Sequence, residues 1–129
     1  MSIPDEKQII GDTLNSFGEA LNSANIKKIP LYFAADGIFM PEATRSFSGK
    51  ELRHTTGNFF AKNAFSITFS IEELEVDGVY AFVHARANTV TTIRATGIVY
   101  EKMTRDFFVL RKEGVDWKIY RYMFNHLNT

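Results

Sequence analysis

The 129-residue chain has no cysteine. Disulfides, thiolate nucleophiles and zinc–thiolate sites are therefore excluded. It has no excess of either charge, because fifteen Lys and Arg balance fifteen Asp and Glu. A balanced chain carries no electrostatic footprint for nucleic acid or an anionic membrane, and neither is expected as a partner. No apolar run approaches the ~20 residues needed to span a bilayer. The start, "MSIPDEKQII", has no basic segment followed by an apolar one, so no secretory signal is expected and a cytoplasmic location is the default. There is no Gly-rich phosphate loop, dinucleotide fingerprint or serine elbow, and no cofactor is expected. His54 and His126 stand alone, with no ligand partner at i, i+4, so no metal site is expected either.

What is present is apolar and aromatic. Hydrophobic residues make up 45% of the chain and twelve residues are Phe. One domain over 1–129 is expected, and a chain of this size buries roughly 65–70% of its unfolded surface.

The first half reads as helical. Ile10, Leu14, Phe17 and Leu21 fall at i, i+4, i+7 and i+11, which predicts an amphipathic helix over 5–24. A second helix is expected over 26–34, capped by Asn25, and a short strand over Ile38–Met40 after the Asp36-Gly37 turn signal. Ser48 with Glu51 three residues later is a capping box and predicts a third helix. From Ala64 onward the residues are β-branched and aromatic, which predicts four long strands. Gly-containing connections at Asp77-Gly78, Thr96-Gly97 and Glu113-Gly114 make them antiparallel hairpins. The fold class is α+β, with helices lying on a strongly curved antiparallel sheet to form a cone.

The last strand, "WKIYRYMFN", poses a problem. One parity carries Trp117, Ile119 and Met123, the other Tyr120, Tyr122 and Phe124. A half-buried strand should alternate apolar with polar. Large apolar groups on both parities imply that neither face is freely solvated.

Three stretches carry a family resemblance: "FGEALNSANIKKIPLYFAADGIFMPE", "FSGKELRHTTGNFF" and "LRKEGVDWKIYRYMFN". In order and spacing they resemble the nuclear transport factor 2-like superfamily, and most closely its SnoaL-like, ketosteroid isomerase-like branch. The resemblance implies the cone fold and a pocket inside it. It also implies an isomerase triad that this chain lacks. The position of that family's helix-one tyrosine is Phe17, its base position is Pro41 with Glu42 adjacent, and its second donor position is Phe107. Asp106 is one residue away and is expected on the opposite face.

The same resemblance implies a pocket-facing parity of Tyr80, Phe82, His84 and Arg86 on one strand, Phe107 and Val109 on the next, and Tyr120, Tyr122 and Phe124 on the last. Candidate ligand contacts are then Phe17, Tyr32, Phe60, Phe82, His84, Arg86, Phe107, Tyr122 and Phe124. His84 is the candidate catalytic residue, because its charge can change near neutral pH. It can equally be a hydrogen-bonded histidine in the pocket wall. Arg86 could clamp a carboxylate or pair with a surface glutamate. Glu42 is either a displaced base or a solvated loop acid, and Arg121 is a ligand contact or an ion-pair partner. Two functions are open. One is a protein that binds a small hydrophobic molecule without the isomerase triad. The other is a cofactor-independent acid–base enzyme, an isomerase, cyclase or dehydratase, that uses His84. A homodimer is expected through the opposite parity, where Ala81, Val83, Ala85 and Ala87 form a flat apolar strip.

Overall fold

Asp5 begins the first helix. Its carboxylate accepts from the Lys7 backbone N–H at 3.0 Å, satisfying a donor the helix start leaves free. A computed structural model describes residues 5–127 and identifies this helix as α1, Glu6–Asn22. Ile10, Leu14 and Phe17 form its buried stripe, as the spacing predicts. The next stretch differs from expectation. A single 3-10 turn, Ile29–Tyr32, replaces the second helix, and strand β1 starts at once and runs Phe33–Met40. Pro30 at the head of the turn and the β-forming Phe33 that follows leave no room for further helical turns. The Asp36-Gly37 signal marks an irregularity inside β1 rather than a turn before it. The strand pairing shifts between Phe33 and Ile38, and a Cβ at Gly37 would sit 2.8 Å from the Ile119 carbonyl oxygen. Only glycine allows that approach.

Strand β2, Phe47–Ser48, leads into α2, Gly49–Lys62, which carries the expected capping box. The Ser48 N–H donates to Glu51 Oε1 at 3.1 Å. Arg45 beside Glu51 holds that carboxyl down at about 2. The four long strands follow: β3 Asn63–Asp77, β4 Tyr80–Ile93, β5 Val99–Glu113 and β6 Asp116–His126. Gly78, Gly97 and Gly114 hold positive φ at the three hairpin connections. The strands form one six-stranded sheet in the order β2-β1-β6-β5-β4-β3, in which only the β1–β6 pair is parallel.

The helices cover one face of this sheet, and that inner face reverses the expected parity. Ala81, Val83, Ala85 and Ala87 are buried in the core, together with Phe108 and Leu110. They cannot form a subunit interface. Tyr80, Phe82 and Phe107 lie on the outer face, each more than a third exposed. The small side chains are inside because the first helix and its aromatic stripe need the volume; Phe17 and Phe108 already meet there edge to face, at 6.4 Å.

The double-sided apolar pattern of β6 has a local cause. The β5–β6 register slips between Val109 and Leu110, so Tyr120 is an extra residue on β6. Trp117 and Ile119 point inward before this bulge, and Tyr122 points inward after it. The bulge exchanges the faces mid-strand. β3 does the same at Glu72, where the pairing shifts between Ile71 and Glu73. Tyr120 itself is held outside, with the Arg121 and Arg111 guanidiniums 3.9 Å and 4.6 Å from its ring centre.

Candidate functional site

The cavity lies between the inner sheet face, α1, α2 and the end of β1, with a volume of about 480 Å³. That is within the usual range for small-molecule sites. Its apolar wall includes Phe17, Phe39, Phe59, Phe60, Phe65 and Ile67. Its polar groups lie mainly along the sheet and at its edge.

The deepest polar group is Asp106. It is 1% exposed and alternates inward on β5 with Thr104 and Phe108. Tyr122 Oη donates to its Oδ2 at 2.5 Å, and Thr104 Oγ1 to its Oδ1 at 2.5 Å. Burial pushes the Asp106 carboxyl above the ordinary carboxylate range, and the two hydroxyls only partly oppose this. Burial first, and then the adjacent Asp106 charge, push the Tyr122 phenol well above its usual value. Tyr122 is fixed by stacking on Phe108, at 4.1 Å between ring centres, and by Phe39 at 5.0 Å on the neighbouring strand. Its hydroxyl is therefore aimed at Asp106 by packing.

A second polar pair sits one rung outward. Thr104 pairs with His126 across the β5–β6 ladder, and Asp106 with Phe124. His126 ends β6 and lines the cavity, as do Phe124, Pro41 and Glu42. Glu42 Oε1 accepts the His126 backbone N–H at 2.8 Å, while Oε2 contacts the His126 ring at Nδ1. A carboxylate on Nδ1 fixes the proton there and leaves Nε2 as the free, basic nitrogen. The outermost polar residues are Lys102 on β5, with Thr89, Thr91 and Tyr100 beside it.

The sequence candidates divide between the two faces. Phe17, Phe60, Tyr122 and Phe124 line the cavity. Tyr32 is not among the lining residues; it bonds Ser16 at 2.5 Å and packs on Phe17. Phe82, His84, Arg86 and Phe107 are on the outer face. There Arg86 pairs with Glu72 at 2.6 Å and His84 Nδ1 lies 3.8 Å from the same carboxylate. His84 borders a shallow outer groove with Arg105, Phe107 and Met123. Arg121 is a structural partner, donating to the Asp36 and Tyr120 carbonyls. Asp106 and His126 were not singled out by the sequence. An assumed frame one residue out of step placed Asp106 outside, and His126 has no helical-spacing partner because its partner comes from a different strand end. The usable signal was Thr104-x-Asp106 at period two, continuous with the inward Phe108.

Comparisons with known proteins agree with this geometry. A family model for the SnoaL-like domain matches residues 10–124. The chain belongs to the SnoaL-like family. Among solved structures, a ketosteroid isomerase-like protein from Erwinia carotovora atroseptica is 23% identical, with 98% of this chain and 100% of that one covered and a TM-score of 0.88. A proposed aromatic ring hydroxylase from Novosphingobium aromaticivorans is 18% identical, with 99% and 94% covered and a TM-score of 0.85. An NTF2-like protein with a cystatin-like fold from the same organism is 14% identical, with 95% and 82% covered and a TM-score of 0.75. At these identities the likeness shows the fold of this SnoaL-like chain and not its chemistry. No curated protein matches it. Among the described residues no helix is long and apolar enough to cross a membrane, and no three metal-ligating side chains cluster.

Proposed function

We propose that this SnoaL-like protein binds a small hydrophobic carbonyl compound in its cone and moves a proton on it without a cofactor. The observation that carries the reading is the single register step that puts His126 and Asp106 on neighbouring rungs of one cavity wall. His126 Nε2, with its tautomer held by Glu42, takes a proton from the carbon beside the substrate carbonyl. The resulting enolate oxygen needs a donor in a dry site. With Asp106 protonated, the Tyr122–Asp106 hydrogen bond reverses: the carboxyl O–H donates to Tyr122 Oη, and the phenol O–H turns to donate to that enolate oxygen. The imidazolium then returns its proton to carbon or to a leaving hydroxyl. The first outcome is isomerisation; the second is dehydration. In a cyclisation the enolate carbon instead bonds to a second carbonyl of the substrate, and the imidazolium protonates the alkoxide formed. A base oriented by one carboxylate and a second carboxyl kept neutral by burial form the pairing that separates acid and base roles at one pH. The isomerase triad is still absent, since Phe17 supplies no hydroxyl. Tyr122 takes the donor's part from the opposite wall.

The test is deuterium uptake at the α-carbon of 2-tetralone in D₂O, followed by proton NMR. Uptake above the buffer rate in the native chain, returned to that rate in His126→Ala, is the expected result. Equal rates in the two proteins overturn the reading.

A second copy of the chain is the partner this reading includes. The outer face carries Phe82, Val109, Phe107 and Met123 on adjacent strands, a partly exposed apolar patch flanked by the Glu72–Arg86 pair and by Arg105 bonded to Asn125. A partly exposed apolar patch with a polar rim suits a self-complementary two-fold interface.

A further inference from the structure

We propose that the molecule bound in the cone is an amphipathic acid, whose anionic group is held by Lys102 at the outer end of the cavity. The proposal rests on the reading of the cavity as a ligand site and specifies the class of ligand.

The polar lining of β5 forms a ladder. Lys102, Thr104 and Asp106 alternate on the inner face, and exposure falls along them, from an exposed Lys102 to a buried Thr104 and Asp106. Each step of two residues advances ~6.8 Å, so the two ends of the ladder are about 14 Å apart along the strand. The charges along this ladder are unequal in what they leave unmatched. Asp106 is buried, which raises its carboxyl pKa, and both its oxygens are met by hydroxyls. Glu42 is matched by the ring and backbone of His126. Lys102 has no carboxylate within ion-pair distance among the described residues; its ammonium lies 5.7 Å from the Tyr100 ring centre, and its neighbours across the ladder are the hydroxyl-bearing Thr89 and Thr91. The cavity wall thus presents one unmatched cation, flanked by hydroxyls, at the end opposite the proposed chemistry.

A ligand that satisfies every station carries an anionic oxygen group at Lys102. Its apolar body lies along Phe59, Phe60 and Phe65, and its carbonyl reaches Tyr122 and Asp106. A neutral hydrophobe would fill the same aromatic wall and leave the lysine to water. An anion placed deeper would lose its hydration beside a buried carboxyl whose neighbouring hydroxyls are already committed to it. The long, flexible lysine stem also suits a tethering role, since it holds charge without fixing the reacting end.

Two fluorescent probes with one aromatic skeleton test the idea. 8-Anilino-1-naphthalenesulfonate carries an anion; N-phenyl-1-naphthylamine does not. Titration of the native chain should show a preference for the anionic probe. Lys102→Met should lower the affinity for that probe about fivefold, the strength of a partly solvated ion pair, and leave the neutral probe unchanged. The same ratios are expected with Phe82→Glu, which removes the outer apolar patch as an alternative site. Equal affinity for both probes in the native chain, or a preference that survives Lys102→Met, overturns the proposal and leaves the pocket reading standing. A preference that vanishes with Phe82→Glu places the anion outside the cavity and also overturns it. Binding of neither probe overturns the pocket reading and this proposal together.

Discussion

The two faces of this sheet use their residues in opposite ways. Along β4 and the outer half of β5 the inner face is built from small and mid-sized groups, Ala81, Val83, Ala85 and Ala87, then Thr104 and Asp106. Its large groups Phe108, Trp117 and Tyr122 lie on the inner half of β5 and on β6. The outer face carries Tyr80, Phe82, Phe107 and Met123, each partly exposed. Side-chain size alone points the wrong way. The inner face must accept a helix, an aromatic cluster and an open cavity within about 10 Å, so the β4 side chains opposite that cluster are small. The outer face has no such restriction. Burial reports the space a partner element leaves, and hydrophobicity only reports that some partner is welcome.

The largest break in this comparison is a charge placed on each face at adjacent positions. Val83→Glu buries a carboxylate in the core beneath the first helix, where nothing pairs with it. A loss of several kcal/mol is expected, enough to unfold a domain of ordinary stability. Phe82→Glu, one residue earlier, should leave the fold intact. Circular dichroism melts of the two variants check this directly, and a folded Val83→Glu protein would reverse the assignment of faces. Phe107→Glu on the outer face should keep the melt and split the proposed dimer. Sedimentation that shows the native chain monomeric at tens of micromolar, a range that a micromolar dimer would fill, refutes the pairing.

Next in size is the chemistry of the inner face. His126→Ala should cost about 10²–10⁴-fold in proton exchange, the span expected for a positioned general base. Tyr122→Phe should cost about 10²–10³-fold, the worth of one oxyanion donor, whereas Asp106→Asn, whose amide can donate to the same phenol oxygen, should act mainly on stability. In the fold the Asp106 carboxyl titrates above its unfolded value. The folded state therefore holds a proton that the unfolded chain has already released. This contribution to stability is complete below the ordinary carboxylate range and is lost as pH rises through the raised folded value. Asparagine cannot titrate, and its oxygen and amide can still meet Tyr122 and Thr104. Melting temperature at pH 7 should rise, and its fall above pH ~4 should flatten. A less stable asparagine variant at neutral pH would show that the carboxyl is charged in the fold.

Much of the architecture was legible in the sequence because it is local. The 3.6-residue stripe of the first helix, the Ser48–Glu51 capping box and the three glycine connections each need only a few neighbouring residues. The family's order of landmarks supplied the rest of the fold. Two further features were not local. The faces that β3 and β6 present along their length depend on bulges at Glu72 and Tyr120, which register the chain against distant partners and leave no glycine signature. The Glu42–His126 pair joins the end of the first strand to the end of the last, and no spacing rule connects them. Phe17, Phe60, Tyr122 and Phe124 were placed in the cavity by resemblance and do line it; His84 and Arg86 were carried to the wrong side by the one-residue frame.

The smallest expected effect is the sharpest check on the division between faces. His84 has the chemistry of a catalytic residue but not the position. Its ring is on the outer face, in the groove formed with Phe107 and Met123, 3.8 Å from a glutamate that Arg86 already holds at 2.6 Å. The group is more than a third exposed, so its pairing with Glu72 is screened and contributes little. The sheet itself separates it from the cavity, since His84 pairs with Phe107, and the inward neighbours of these two residues are Ala85 and Asp106. His84→Ala should therefore change α-carbon exchange by less than about twofold, within the range of exposed polar substitutions. The melt should move by no more than about 0.5 kcal/mol in stability. Any larger consequence should appear in association, because the ring borders the proposed subunit face. Parallel measurements of exchange rate and sedimentation on the one variant separate these outcomes. A hundredfold loss of exchange with an unchanged oligomeric state would carry His84 into the chemistry, and the inner face could no longer hold the whole site.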